Sequence, residues 1–329
     1  MEYFPHIALG VLAVAFAFAS GANDGGVLLA MGTRYSGLTL PRQIVFLAAM
    51  LVVMPVVGGV NVAHTLAEGL FDPSHGTWLF VIGAAWPLVV TFAFNRVGIP
   101  TSLSLALVGG LTGVALGSGQ GIRSALVIRV LLVAAAAPLV AGVLGFVVDR
   151  IARLAGNVHH AEWAMRGLHR VSFFVQCAAY ALNDGQKMLA VGAVALGVLF
   201  PNLASPLSAS GVWCRLVVLM VLVIFFLIGT LLTLRPVTRR VGYDIAQLRP
   251  FDEVSAELLS GITVIGSSAL GVPVSMSQAL TGAVIGLSGS KGTRRVRWRN
   301  AGTIVVAWIA TLPVSVVGAA GISALYTHM

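Results

Sequence analysis

Eight apolar runs, near residues 5–31, 43–62, 78–117, 123–148, 170–200, 212–234, 256–288 and 301–327, dominate the chain and carry few charges. A transmembrane helix needs roughly 20 apolar residues, and inside hydrocarbon every backbone N–H and C=O must be paired within the chain. The broad solution is an all-α integral membrane protein. Composition agrees: 58% of the 329 residues are hydrophobic and 9% are charged, whereas soluble domains carry about 25% charged residues. The net charge of +9 comes from bases in short loops between the apolar runs. It therefore bears on membrane orientation, and no nucleic-acid-binding domain is expected. Cys177 and Cys214 lie in different apolar runs, so no disulfide framework is expected.

Two runs, 78–117 and 256–288, are too long for one crossing and are interrupted by Gly98-Ile99-Pro100 and Gly271-Val272-Pro273. They predict two helical hairpins, either re-entrant or fully spanning. Lys and Arg cluster in 34–42, 149–170, 235–250 and 291–299 and are missing from 63–77 and 201–211. The positive-inside rule places the basic loops in the cytoplasm. If each hairpin enters and leaves on one side, every loop falls where its charge requires, with both termini outside. The first basic residue is Arg34, so the N-terminal run is expected to stay as a span and not to be removed as a leader. The stretch from Lys291 to Arg299 reads as an ordinary cytoplasmic anchor.

The organisation is a duplication. Residues 98–114 align with 271–287 at an offset of 173, with Gly98, Pro100, Ser102, Ser104, Ala106, Leu107, Gly109 and Gly113 identical in the second copy. Asn23-Asp24-Gly25 recurs as Asn183-Asp184-Gly185 at an offset of 160, followed by the pairs Leu29/Leu189, Ala30/Ala190 and Gly32/Gly192. In the topology above the two copies run in opposite directions, which predicts an inverted-topology repeat with broken helices: residues 1–148, a cytoplasmic basic linker at 149–169, and residues 170–329. This is the architecture of many secondary transporters, which hold substrate near the midplane. There is no Walker-type phosphate loop, hence no ATP motor.

Of the eleven acids, Asp24 and Asp184 are the two expected deep within spans, and the rest fall in loops or near span ends. A carboxylate inside a span costs about 2.5–3.5 kcal/mol on the insertion scale, and here that cost recurs at equivalent positions. The bland alternative is structural neutralisation, for example of Asp184 by Lys187 one turn away. Gly25-Gly26 and Gly185 are expected to weaken their helices and free backbone groups beside the acids. Each Asn-Asp pair then offers carboxylate and carbonyl oxygens for a small cation and an amide donor for an anion. At the hairpins, Thr101, Ser102, Ser104, Ser275 and Ser277 are expected beside a proline that begins a helix, where free N–H groups attract an oxyanion. Gly109, Gly110, Gly113, Gly282 and Gly286 read as close-packing residues.

These motifs resemble those of the inorganic phosphate transporter (PiT) family of secondary carriers. The family's GxNDxxN-type and P-[TS]-S-x-[ST] signatures are matched by Gly21-Ala22-Asn23-Asp24, Asn183-Asp184-Gly185-Gln186-Lys187, Pro100-Thr101-Ser102-Leu103-Ser104 and Pro273-Val274-Ser275-Met276-Ser277. The NDGQK string is similar to the bacterial branch. The resemblance implies that Asn23, Asp24, Asn183 and Asp184 line phosphate and sodium sites, with the hairpin hydroxyls closing on phosphate. The chain departs from the family at Val27, Leu105, Gln278 and Ala181. With Val27 at a family ligand position, proton coupling and carriage of a metal–phosphate complex stand beside sodium.

Lys187 is expected with the Asn-Asp pairs and hairpin hydroxyls as a phosphate contact, yet hydrogen phosphate is a dianion, burying it beside two carboxylates requires cations, and Lys187 alone does not balance the total. Symport with Na+ or H+, without a tightly bound cofactor, is therefore expected. Sulfate is the alternative substrate, disfavoured because a carboxylate acceptor selects the proton that phosphate still carries. An anion channel gains nothing from acids that repel its ion. For an enzyme there is no HExxH-type ligand spacing, and the seven histidines, among them His169 and the loop pair His159-His160, read as lying in loops or at span ends. Arg96 reads as an oxyanion ligand or as a snorkelling residue. The expected setting is a bacterial cytoplasmic membrane, with a homodimer and a regulator docking on loop 149–170 as further partner expectations.

Overall fold

The computed structural model describes residues 4–26, 28–29, 37–96, 101–154, 162–237, 246 and 248–329. Gly98 to Pro100, Val27, Arg34, Asp244 and His159-His160 lie outside them. Helices α1 (Phe4–Ser20), α2 (Leu40–Val57), α3 (Thr77–Arg96), α4 (Leu103–Gly117) and α5 (Ser124–Leu154) form the first half. Helices α6 (Glu162–Tyr180), α7 (Gln186–Leu199), α8 (Val212–Val237), α9 (Pro250–Ala269), α10 (Met276–Gly289) and α11 (Trp298–Thr327) form the second. All eight apolar runs are helical over most of their described lengths, and among the described residues six helices are long and apolar enough to cross a membrane. The duplication extends to the boundaries: α3 and α9 are both 20 residues long and sit at the 173-residue offset, residue for residue.

The expected breaks beside Asp24 and Asp184 are single π-helical turns, Gly21–Gly25 and Ala181–Gly185. They widen their helices without severing them, as π bulges at functional sites commonly do. Gly21 and Gly25 also have a packing role. A Cβ on Gly25 would stand 2.0 Å from Thr230 Oγ1, and one on Gly21 would stand 1.9 Å from Phe226 O. Their absence of side chain lets α8 approach the first turn, where Thr230 Oγ1 donates to the Gly21 carbonyl at 3.2 Å.

In the hairpins, α3 and α9 are long enough to cross, about 30 Å at 1.5 Å per residue, whereas α4 and α10 are shorter by about a turn or more. The second hairpin's ends are held together by Lys291, which pairs with Asp252 and stands 3.4 Å from Asp149 Oδ1 on α5. Its far end is fixed where Arg129 Nη2 of α5 donates to Leu270 O at 3.0 Å. Gly271, with φ at +72°, turns the chain there, a conformation that glycine adopts without steric cost. The return arm begins only at Met276, so Val272 to Ser275 run extended into the interior. This corrects the expectation that the hairpin proline starts the helix: Ser275 and Ser102 are the N-cap residues, two positions beyond Pro273 and Pro100.

The short arms cross over to the opposite half, α4 packing along α11 and α10 along α5. The glycines expected to pack do so. A Cβ on Gly282 or Gly286 would meet the Pro138 or Gly142 carbonyl oxygen at 2.0 or 1.9 Å, and one on Gly113 would meet Val316 O at 2.4 Å. Much of the segment expected as a linker is helical, because α5 runs on to Leu154 and α6 begins at Glu162; residues 155–161 lie outside the described ones.

Two placements in the loops-and-ends reading are overturned. His169, 1% exposed, and Glu257, 2% exposed, are packed inside the contact between α6 and α9. Glu257 accepts from Ser172 Oγ and lies 3.8 Å from His169 Nδ1, while Gln176 Nε2 donates to Glu257 O at 2.9 Å and to Ser260 Oγ at 2.7 Å. Hydropathy along a span does not say which face a residue takes, and these groups are accommodated because they pair with one another.

Candidate functional site

The two π turns and the two hairpin tips converge at the junction of the halves. Tyr180, just before the second turn, donates from its hydroxyl to Ser20 O just before the first, at 3.4 Å. These two residues are equivalents at the 160-residue offset, so the pseudo-twofold axis passes beside them. This contact brings the two Asn-Asp turns together at the junction of the halves.

In the second half the centre is tightly built. Asn183 is fully buried, and its amide pairs with the extended hairpin segment as a neighbouring strand would. Its Nδ2 donates to Val272 O at 3.2 Å, and its Oδ1 accepts from Val274 N at 3.1 Å. Nδ2 also donates to Ser268 Oγ at 2.8 Å. These bonds hold residues 272–274 extended and account for the delayed start of α10. Lys187, 1% exposed, donates to Asp184 Oδ1 at 2.7 Å, to Val274 O at 2.6 Å and to Ser104 Oγ. Ser104 Oγ also donates to Val274 O at 2.9 Å, joining the tip of the first hairpin to that of the second. Structural neutralisation of Asp184 by Lys187 is therefore realised, and it occurs within the junction and not apart from it.

The first half is looser. Asn23 and Asp24 are half-buried; Asn23 Nδ2 donates to Asp24 Oδ1 at 3.1 Å, and Asn95 Nδ2 donates to Asn23 Oδ1 at 3.3 Å. Asn95 was not singled out from the sequence, nor was Ser268. Yet they are equivalents at the 173-residue offset, and each holds the asparagine of its own half. Polar residues at matched positions of the repeat were the available signal.

Among the buried side-chain atoms of the described residues that have no hydrogen-bond partner are Asp184 Oδ2 in the second π turn and Thr101 Oγ1, three residues before Ser104. Among the other expected hydroxyls, Ser102 Oγ accepts from Leu105 N at 3.2 Å as the cap of α4, and Ser275 and Ser277 hydroxyls stand 2.8 Å apart. Gln186 turns away from the centre; its Oε1 accepts from Val62 N at 2.8 Å and Ala63 N at 3.2 Å. Arg96 lies 4.7 Å over the ring of exposed Phe92. The arrangement combines acceptors for cations and protons with hydroxyl and amide donors for an oxyanion, all where oppositely directed hairpins touch.

Residues 20–176 and 156–319 match the Phosphate transporter family. A probable low-affinity inorganic phosphate transporter of Rhizobium meliloti (strain 1021) is 33% identical, over 98% of this chain and 96% of that protein. Proteins of the same description in Bacillus subtilis (strain 168) and Mycobacterium tuberculosis (strain ATCC 25618 / H37Rv) are 26% and 31% identical. They match over 94% and 96% of this chain, and over 93% and 76% of their own lengths. A solved structure described as "The sodium-dependent phosphate transporter" superposes with a TM-score of 0.80 over 99% of both chains at 16% identity, a likeness of fold.

Proposed function

Because this chain belongs to the phosphate transporter family, we propose that it moves inorganic phosphate by symport, with Asp24 and Asp184 holding the compensating positive charge at the meeting point of the hairpins. The observation that carries this reading is the pair of buried oxygens without partners, Asp184 Oδ2 and Thr101 Oγ1. A buried polar atom left unpaired costs about 1–3 kcal/mol, and hydrogen phosphate supplies what both lack. Its P–O–H donates to the carboxylate and its P–O− accepts from the threonine hydroxyl. Ser102, Ser275, Ser277 and Asn23 are the further polar contacts in this reading, while Asn183 and Ser104, whose donors are committed to Val272, Ser268 and Val274, hold the second hairpin in place.

With Asp24 and Asp184 ionised and Lys187 protonated, the centre carries a net single negative charge before substrate arrives. A dianion added there needs mobile cations, Na+ or protons, and Asp24 and Asn23 in the looser half are the place for them. A carboxylate acceptor favours phosphate over sulfate, which near neutral pH has no proton to donate. The bacterial relatives support a cytoplasmic-membrane setting, and the distribution of basic loops supports an orientation with both termini outside.

The test is uptake of labelled phosphate into proteoliposomes under imposed sodium or proton gradients. Uptake should follow one of them and should resist excess sulfate. Uptake indifferent to both gradients would refute coupling, and full inhibition by low sulfate would overturn the substrate preference.

A further inference from the structure

We propose that Lys187 is a built-in cation: its ammonium fills, in the second half, the position of a coupling ion, so that the pair of Asn-Asp motifs handles a dissociable cation in the first half alone. The inference rests on the symport reading above and specifies how its positive charge is divided.

The surroundings of Nζ are those of a small hard cation. Its three neighbours are a carboxylate oxygen, Asp184 Oδ1 at 2.7 Å, a backbone carbonyl, Val274 O at 2.6 Å, and a hydroxyl, Ser104 Oγ. Carboxylate, carbonyl and hydroxyl oxygens form the ligand set such ions take. They come from the π-turn helix and from both hairpin tips, the place where an ion would have to sit to link anion binding to closure. An ammonium has three N–H donors and no acceptor. All three are directed at fixed protein oxygens, and the residue is 1% exposed, so Lys187, expected from the sequence as a phosphate contact, has no donor left for substrate. It cements the junction in the way a bound ion would.

The repeat shows what the other half lacks. At the 160-residue offset Lys187 corresponds to Val27. Asp24 has Asn23 as its hydrogen-bonding partner at 3.1 Å, and among the described residues no basic side chain pairs with it. Among the described residues, one copy of the motif thus carries its cation covalently and the other does not.

The test uses the full chain in lipid nanodiscs and measures equilibrium 22Na+ binding, together with the melting temperature in NaCl and in choline chloride at equal ionic strength. Lys187→Ala opens a space lined by the same oxygens. It should bind one more sodium per chain than the parent, and its melting temperature should rise with NaCl but not with choline chloride. Ammonium should stabilise the variant in the same way. A folded Lys187→Ala protein with the parent's sodium count and no ion-specific rise would overturn the proposal. If that variant does not fold, the parent sequence decides: any sodium that survives Asp24→Asn but is lost with Asp184→Asn overturns it, whereas loss of all binding with Asp24→Asn supports it. Uptake indifferent to both gradients would remove the symport reading and leave the extra sodium site in Lys187→Ala standing, so the two failures are distinct.

Discussion

Gly286→Ala adds one methyl where two helix backbones touch. The new Cβ would lie 1.9 Å from Gly142 O, 2.7 Å from Gly142 C and 2.9 Å from Gly142 Cα, whereas real Cβ contacts essentially never fall below 3.0 Å. Relief requires α10 to move off α5 by about 1 Å, since neither side offers a side chain that can rotate away. One turn earlier the Gly282 position faces Pro138 O at 2.0 Å, so the whole seam must open. Overpacking costs about 1–3 kcal/mol, and the rigid backbone contact puts this site at the upper end. Alanine returns about 1 kcal/mol of helix propensity, leaving a net loss of about 2 kcal/mol. The shift also displaces Ser275 and Ser277 at the start of α10, so phosphate uptake should fall more than stability does. Gly266→Ala is the control: it lies in α9, the other arm of the same hairpin, with nothing within 4 Å of its Cβ, and should be neutral or stabilising by up to about 1 kcal/mol. Thermal unfolding in nanodiscs and initial uptake rates in proteoliposomes measure both effects. Equal behaviour of the two variants would refute the close-packing argument.

Asn183→Ala removes the side chain that holds the extended hairpin segment, leaving the buried Val274 N–H without its acceptor; a loss of about 1–3 kcal/mol is expected, with uptake abolished even in folded protein, as size-exclusion and uptake measurements would report. Glu257→Gln weakens the buried contact with Ser172 and His169. The equivalent first-half positions, Leu9, Leu12, Ala84 and their neighbours Phe16 and Pro87, are apolar, so the cluster serves packing of α6 on α9: unfolding measurements should show a loss of about 1–3 kcal/mol, with uptake per folded molecule retained.

Spans, hairpins and the twin acids were legible because each is a one-dimensional signal: apolar length, a Gly-x-Pro interruption, a motif repeated at fixed offset. What the sequence hid was direction around the helix axis. Glu257 sits on the face of α9 that meets α6, and hydropathy along the run reads the same whichever face it takes. The π turns were equally hidden, since Gly25 and Gly185 suggest weakness, whereas the packing of Thr230 against Gly25 determines what that glycine does. Asn95 and Ser268 were within reach of the repeat, but their identities differ, and a search for identical residues passes over them. The delayed start of α10 follows from Asn183 binding Val272 and Val274 across the junction, a contact 89 and 91 residues away in the chain.

The repeat itself argues for a division of labour. Two copies of one motif in mirrored settings would face the substrate with equal charge and equal exposure if both kept the same chemistry. Here Asp184 is buried with a permanent cation and Asn183 is locked to a hairpin, while Asp24 and Asn23 are half-buried and bound more loosely. A fixed charge pair contributes the same field whether or not substrate is present, so it sets affinity for the anion but does not sense a gradient. Only a carboxylate whose cation dissociates can exchange it with the two solutions. On the proposed symport reading, sensing would fall to Asp24, with the second half as the rigid surface against which that exchange is read.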